Sequence, residues 1–155
     1  MKRWGAAMAA VALVGALAGC GTRTITCIDW VIFETPADLA EAADLVIVGE
    51  RIAPDGSSGR FGIEAAAHTI RVDRVLKGEL DVTEIRVLSL PATCSASEYP
   101  DGDQLAIAGE VQYFLDFEDG EWQTLTSYQG AVEVTADGIL PWDPAEPTPM
   151  PSANP

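Results

Sequence analysis

Val111-Gln112-Tyr113-Phe114-Leu115-Asp116-Phe117-Glu118-Asp119-Gly120-Glu121-Trp122-Gln123-Thr124-Leu125-Thr126 is the stretch that decides the fold class. Val111, Tyr113, Leu115 and Phe117 fall at every second position, which predicts a strand with those four side chains on one face. Asp119-Gly120 then predicts a tight turn, because glycine tolerates the positive φ that a type I′ hairpin needs. Trp122–Thr126 is the predicted return strand. Downstream, Ala131–Val134 and Ile139–Leu140 bracket Asp137-Gly138 and read as a second short pair.

Upstream the same grammar continues. Leu45-Val46-Ile47-Val48-Gly49 is a short, continuous apolar run that predicts a buried strand. Pro54 to Gly62 contains Asp55-Gly56-Ser57-Ser58-Gly59 and reads as a loop. A second strand is expected from about Glu64 to Leu76, stopping at Lys77-Gly78, and a third over Glu84–Leu90, with Ile85 and Val87 opposite Arg86. Pro91 to Asp103 reads as irregular. One helix is marked: Thr35 as N-cap, Pro36 at the first helical position, Asp38 at the third, and Leu39 to Ala43 continuing. Five or six short strands, one short helix and turns about ten residues apart predict a mainly β domain, a small antiparallel barrel or sandwich.

The two ends differ in kind. Lys2 and Arg3 precede an apolar run, Gly5 to Ala18, whose fourteen residues would rise about 21 Å as a helix, short of a bilayer core. That pattern suits a secretory signal peptide over residues 1–19. It closes in Leu17-Ala18-Gly19-Cys20, which resembles a bacterial lipobox. The resemblance implies a diacylglyceryl group on the Cys20 thiol, cleavage before Cys20 and acylation of the new N-terminus. Two or three acyl chains make a stable membrane anchor where one is marginal. Residues 20–24 then form a short lipidated tether. Pro141 to Pro155 holds six prolines among small polar residues and cannot bury a core, so the domain is expected over 25–142 with a Pro-rich tail at 143–155.

Three cysteines fit this address. Lipidation consumes Cys20, and Cys27 with Cys94 remain as a disulfide pair in an oxidising compartment. Closing a loop of that length stabilises by about 4 kcal/mol on the chain-entropy model. Charge narrows the partners. The chain carries 9 Lys+Arg against 24 Asp+Glu, net −15, and loss of Lys2 and Arg3 makes it more negative still. Such a surface offers no counterion-displacing face for nucleic acid and no basic patch for anionic lipid.

Three motifs resemble the netrin-like family, the fold of the tissue inhibitors of metalloproteinases. They are Ala43-Asp44-Leu45-Val46-Ile47-Val48-Gly49-Glu50, Val72-Asp73-Arg74-Val75-Leu76-Lys77-Gly78 and Gly109-Glu110-Val111-Gln112-Tyr113-Phe114-Leu115, with Cys94 where a post-strand cysteine is common. The resemblance implies a five- to six-stranded OB-like barrel with one flanking helix. The inhibitors chelate zinc through a free N-terminal Cys-x-Cys. Here Cys20 would be acylated and Cys27 follows Ile25-Thr26, so a metalloprotease-inhibitor-like role is a minor alternative.

No residue pattern names a reaction. His68 is the single imidazole, in Ala65-Ala66-Ala67-His68-Thr69, and no Gly-x-Ser-x-Gly elbow surrounds a serine. No catalytic residue and no cofactor is expected. Asp116, Glu118, Asp119 and Glu121 crowd the hairpin, and Asp101 and Asp103 flank Gly102. Converging carboxylates could hold calcium, although the EF-hand order is missing and alternate strand residues face opposite ways. Trp30, Phe33 and Trp122 are expected to close the barrel. Tyr128 and Trp142 are candidates for a partner platform. The expectation is a lipid-anchored, extracytoplasmic, non-enzymatic binding or interaction module at the cell membrane, its partner an envelope protein or small ligand. An envelope enzyme accessory and a small-solute-binding lipoprotein are the alternatives.

Overall fold

Thr35-Pro36-Ala37-Asp38 starts a helix in the way its residues dictate. In the computed structural model, which describes residues 24–145, α1 runs Pro36–Ala42. Thr35 Oγ1 accepts from the Asp38 N–H at 3.2 Å and Asp38 Oδ2 accepts from the Thr35 N–H at 2.9 Å, a reciprocal cap of the kind that contributes about 1 kcal/mol. Lys77 closes the other end. Its Nζ donates to the carbonyl oxygens of Ala40, Glu41 and Ala43 at 2.8, 2.9 and 2.6 Å, where the helix carbonyls lack partners of their own. The expected signal segment 1–19, Cys20 with the expected tether up to residue 23, and the tail beyond 145 lie outside the described residues.

Six strands follow: β1 Leu45–Arg60, β2 Ile63–Lys77, β3 Glu84–Ser89, β4 Glu110–Glu118, β5 Glu121–Thr124 and β6 Ala131–Glu133, with a short 3-10 turn at Gln104–Ala106. They form one sheet in the order β1-β2-β3-β5-β4-β6, and β1 also pairs with β4. The protein is mainly β with one short helix, as the sequence predicts. One pairing departs from an all-antiparallel expectation. β3 and β5 run parallel, Val87 opposite Trp122 and Leu88 opposite Gln123.

Leu45–Glu50 pairs with β4 over its whole length and, from Val46 on, also with β2. Leu45–Val48 is buried on both faces of the sheet, which is why this run is continuously apolar. Leu45 and Ile47 join Ile70, Ile85, Val87, Leu105, Val111, Tyr113 and Leu115 in the main core. Val46 points the other way, with Phe114, to a second cluster under α1 (Leu39, Ala40, Ala43).

β4 is therefore buried on both faces, not one. Gln112 and Phe114 are as inaccessible as Val111, Tyr113 and Leu115, because α1 and the chain around Trp142 cover the second face. Phe117, in the same alternation as Val111, Tyr113 and Leu115, is 51% exposed and leans on Trp122 with ring centroids 4.8 Å apart.

Two further expectations are corrected. Pro54–Gly62 is not a loop: β1 continues through it to Arg60, paired with β2, and register shifts at Arg51/Ala53 and Pro54/Ser57 absorb Pro54, Gly56 and their neighbours. The turn is instead Phe61-Gly62, with φ of 53° and 83°. At the far end, β6 pairs with β4, and Ile139–Leu140 form no strand. The Asp137-Gly138 turn is present, closed by the Gly138 N–H on the Thr135 carbonyl at 2.8 Å.

Two glutamine amides act as detached strand edges. Gln112 accepts the Trp142 N–H at 2.8 Å and donates to the Trp142 carbonyl at 2.7 Å. Gln129 does the same for Phe33, at 2.8 and 2.9 Å. Phe33 belongs to a segment without regular structure that is nonetheless fastened along its length. The Thr26 N–H donates to the Phe61 carbonyl at 2.9 Å, the Ile28 N–H to Thr93 Oγ1 at 2.7 Å, and Cys27 is disulfide-bonded to Cys94 with Cα atoms 5.4 Å apart.

Candidate functional site

The chemistry gathers where the Pro91–Asp103 connection folds back over β2 and β3. His68 lies opposite Val87, on the face that points into the core, and is only 5% exposed. Its Nε2 stands 2.6 Å from Asp103 Oδ2. Asp103 is itself held by the turn it starts, since its Oδ1 accepts the Leu105 N–H at 2.9 Å. Burial works to raise the Asp103 carboxyl, but the contact with His68 and the Leu105 N–H outweigh it and hold the group below the usual carboxylate range. Ser89 Oγ faces Asp103 outside hydrogen-bonding geometry and has no other partner among the described residues.

Tyr99 completes the closure. Its hydroxyl donates to the Ser89 carbonyl at 2.8 Å and accepts the Ala66 N–H at 2.9 Å, bridging β2 and β3 at the Ala66–Ser89 pair that ends their register, and burial pushes its pKa up. These groups do not compose a catalytic triad. His68 Nδ1 is buried and faces no hydrogen-bonding group among the described residues, whereas a triad needs a nucleophile on that second nitrogen. The arrangement fastens the Pro91–Asp103 connection to β2.

Beside Asp103 opens a cavity of about 240 Å³, with Asp101, Asp103, Gln104, Ile107, Ser127 and Tyr128 in its wall. Gln104 spends its Nε2 on the Thr126 carbonyl (2.7 Å) and Thr124 Oγ1 (3.2 Å), and neither its Oε1 nor Ser127 Oγ has a partner among the described residues. The wall holds carboxylates, an amide oxygen and an aromatic ring, and no Lys or Arg.

The acidic hairpin residues named from sequence are each engaged differently, although Glu118 and Glu121 are cross-strand neighbours. Glu121 is taken by two arginines. Arg60, buried, donates from Nη2 to its Oε2 at 3.0 Å and from Nε to Gln123 Oε1 at 3.0 Å, while Arg86 Nη1 and the Ser58 hydroxyl both reach Oε1. Burial pulls the Glu121 carboxyl up, but Ser58, Arg86 and Arg60 together hold it down. Glu118 accepts from Gln123 Nε2 at 2.8 Å. Asp116 turns to Asp44: burial and the hydrogen bond between the two raise Asp116, and the same bond, with the Phe117 N–H, lowers Asp44. Asp119 occupies the turn with φ 53°. Among the described residues no three or more His, Cys, Asp or Glu side chains converge on a point that suits a metal ion.

Of the aromatics, Trp122 packs against the main core, and Phe33 and Trp142 pack on the second cluster. Trp142 is thus seated by α1 and Gln112. Trp30 meets Phe61 edge to face, with centroids 5.6 Å apart. Tyr128 stays half exposed at the cavity. Cys27 and Cys94 are joined as predicted, and Cys20 lies outside the described residues. Sequence reasoning missed the His68–Asp103 pair, the Arg60–Glu121–Arg86 network and the Asp44–Asp116 pair. Asp103 alone carried a local signal, an Asp ahead of Gln104-Leu105 as a cap ahead of a turn. Comparison with protein-family models, with curated proteins and with solved structures finds no match to this chain.

Proposed function

We propose that this chain is a lipid-tethered, extracytoplasmic protein whose OB-like, netrin-like domain serves as a non-enzymatic binding or interaction module of the cell envelope. The observation that carries the reading is the Cys27–Cys94 disulfide, which ties the segment just after the lipobox to the body of the domain. A structural disulfide belongs to an oxidising compartment, the one to which residues 1–19 would send the chain. The barrel is supported by the pairings: β1 to β2, β2 to β3, β3 to β5, β5 to β4 and β4 back to β1 complete a circuit, with β6 outside it. The cavity at Gln104, Ser127 and Tyr128 supports binding, and its acceptor-rich wall suits a small donor-bearing or positively charged group.

Mass spectrometry of the chain recovered from membranes tests this. Acyl chains on an N-terminal Cys20 are expected, and an unmodified chain in the soluble fraction overturns the reading. A second reading, an enzyme accessory, draws on the buried His68–Asp103 contact. It requires a reacting group at Nδ1, so His68→Gln that keeps the fold and leaves every envelope phenotype unchanged eliminates it.

A further inference from the structure

The tip of the β1–β2 hairpin and the segment strapped across it form the end of the domain nearest the lipidated Cys20. A Cβ at Gly62 would stand 2.0 Å from the Thr24 carbonyl oxygen, so the main chain at Thr24 lies directly against the turn. The Thr26 N–H bonds to Phe61, and Trp30 covers the Phe61 ring. Thr24 is four residue steps from Cys20, a span of at most about 14 Å even when fully extended. The headgroup layer is itself roughly 5–8 Å deep on each side of a bilayer.

Side chains at this end are unlike the rest of an acidic surface. Ile25, Val31 and Ile32 are exposed by 49, 64 and 63%. Ile25 adjoins Gly62, and Val31 and Ile32 follow Trp30 directly. A chain with net charge −15 is repelled by anionic headgroups wherever its carboxylates lead. A foot of exposed branched aliphatic groups, with a single exposed carboxylate among them at Asp29, suits the interface, where apolar side chains and polar groups are both accommodated.

We propose that Ile25, Trp30, Val31, Ile32 and the Phe61-Gly62 turn form a face that rests on the lipid surface, which holds the domain in one orientation with the Lys77 end of β2 turned away. This rests on the lipid-anchor reading. The test uses the full chain, acylated in cells and verified by mass, in vesicles of phosphatidylcholine and phosphatidylglycerol. Amide hydrogen exchange is compared with that of the same chain lacking the lipid. Exchange of residues 25–32 and 61–62 is expected to slow by roughly tenfold on the vesicles, with residues 79–83 at the opposite end unchanged. Brominated acyl chains are expected to quench Trp30 by roughly twofold in a Trp122→Phe, Trp142→Phe background, and the Trp30→Phe chain to be quenched far less. Equal exchange at both ends, with acylation confirmed, overturns the orientation and leaves the anchor standing. A chain without acyl groups overturns both.

Discussion

The two hairpins of this sheet turn on the same backbone geometry and reach it by opposite means. Asp119-Gly120 and Phe61-Gly62 both have φ of 53° and then 83°. In the β4–β5 hairpin the residues choose that geometry unaided, because Asp and Gly tolerate the left-handed region. Nothing lies within 4 Å of where a Gly120 side chain would begin. In the β1–β2 hairpin a phenylalanine is forced into the same region, and the segment from Thr24 to Trp30 holds it there through the Thr26–Phe61 hydrogen bond and the Trp30 ring. One turn is a local property of four residues. The other is a tertiary contact, and its stability depends on the Cys27–Cys94 bond that pins the segment.

The sharpest way to break this comparison is to cut the pin. Cys27→Ser with Cys94→Ser is expected to lower stability by about 4 kcal/mol, measured by denaturant unfolding. Amide exchange should quicken at Phe61-Gly62 well before Asp119-Gly120. Equal loosening of both turns would show that the segment does not support the first one.

Glycine replacement comes next. Gly120→Ala meets open space and carries only the left-handed penalty, about 1–2 kcal/mol. Gly62→Ala adds a collision with the Thr24 carbonyl, so it is expected to cost about twice as much and to release the segment to proteolysis.

Acid offers a smaller and reversible effect. Asp103 has its carboxyl pKa depressed in the folded state, so its contribution is fully present above the unfolded value of about 4 and is lost as pH falls through the lower, folded value. Below about pH 4 the Pro91–Asp103 connection is expected to detach from β2 and β3 while β4–β5 persists, and Asp103→Asn should remove that acid step. Tyr99 fluorescence or exchange of the Ala66 amide would follow it.

The smallest effect concerns Phe61 itself. Phe61→Asn suits the turn better but forfeits an aromatic contact worth about 1 kcal/mol, so the two changes nearly cancel. In a Trp30→Ala chain the contact is already gone, and the same substitution should then stabilise. A double-mutant cycle reads the difference.

This contrast also explains what was legible in the sequence. Thr35-Pro36-Ala37-Asp38, Leu45–Val48 and Asp119-Gly120 declare themselves because their conformations are set by neighbours within a few residues. The stretch Pro54–Gly59 misleads because proline and glycine in a long, bulged arm look like loop residues until a partner strand is known. The alternation along β4 does not say which positions are buried for a similar reason: Gln112 is inside because α1 and Trp142 cover its face. The candidate site was less legible still. His68 and Asp103 are thirty-five residues apart and meet only because a long connection doubles back. The cysteine pair was readable at greater separation, because counting thiols needs no geometry.

Gln112 carries a chemical vulnerability. A primary amide offers donor and acceptor together, which lets it stand in for a neighbouring strand and hold both polar atoms of the Trp142 main chain. Hydrolysis of that amide to the acid would keep the acceptor, abolish the donor and set a negative oxygen against the Trp142 carbonyl. A single deamidation would thus unclip the chain from α1, with a mass change of about one dalton as its signature.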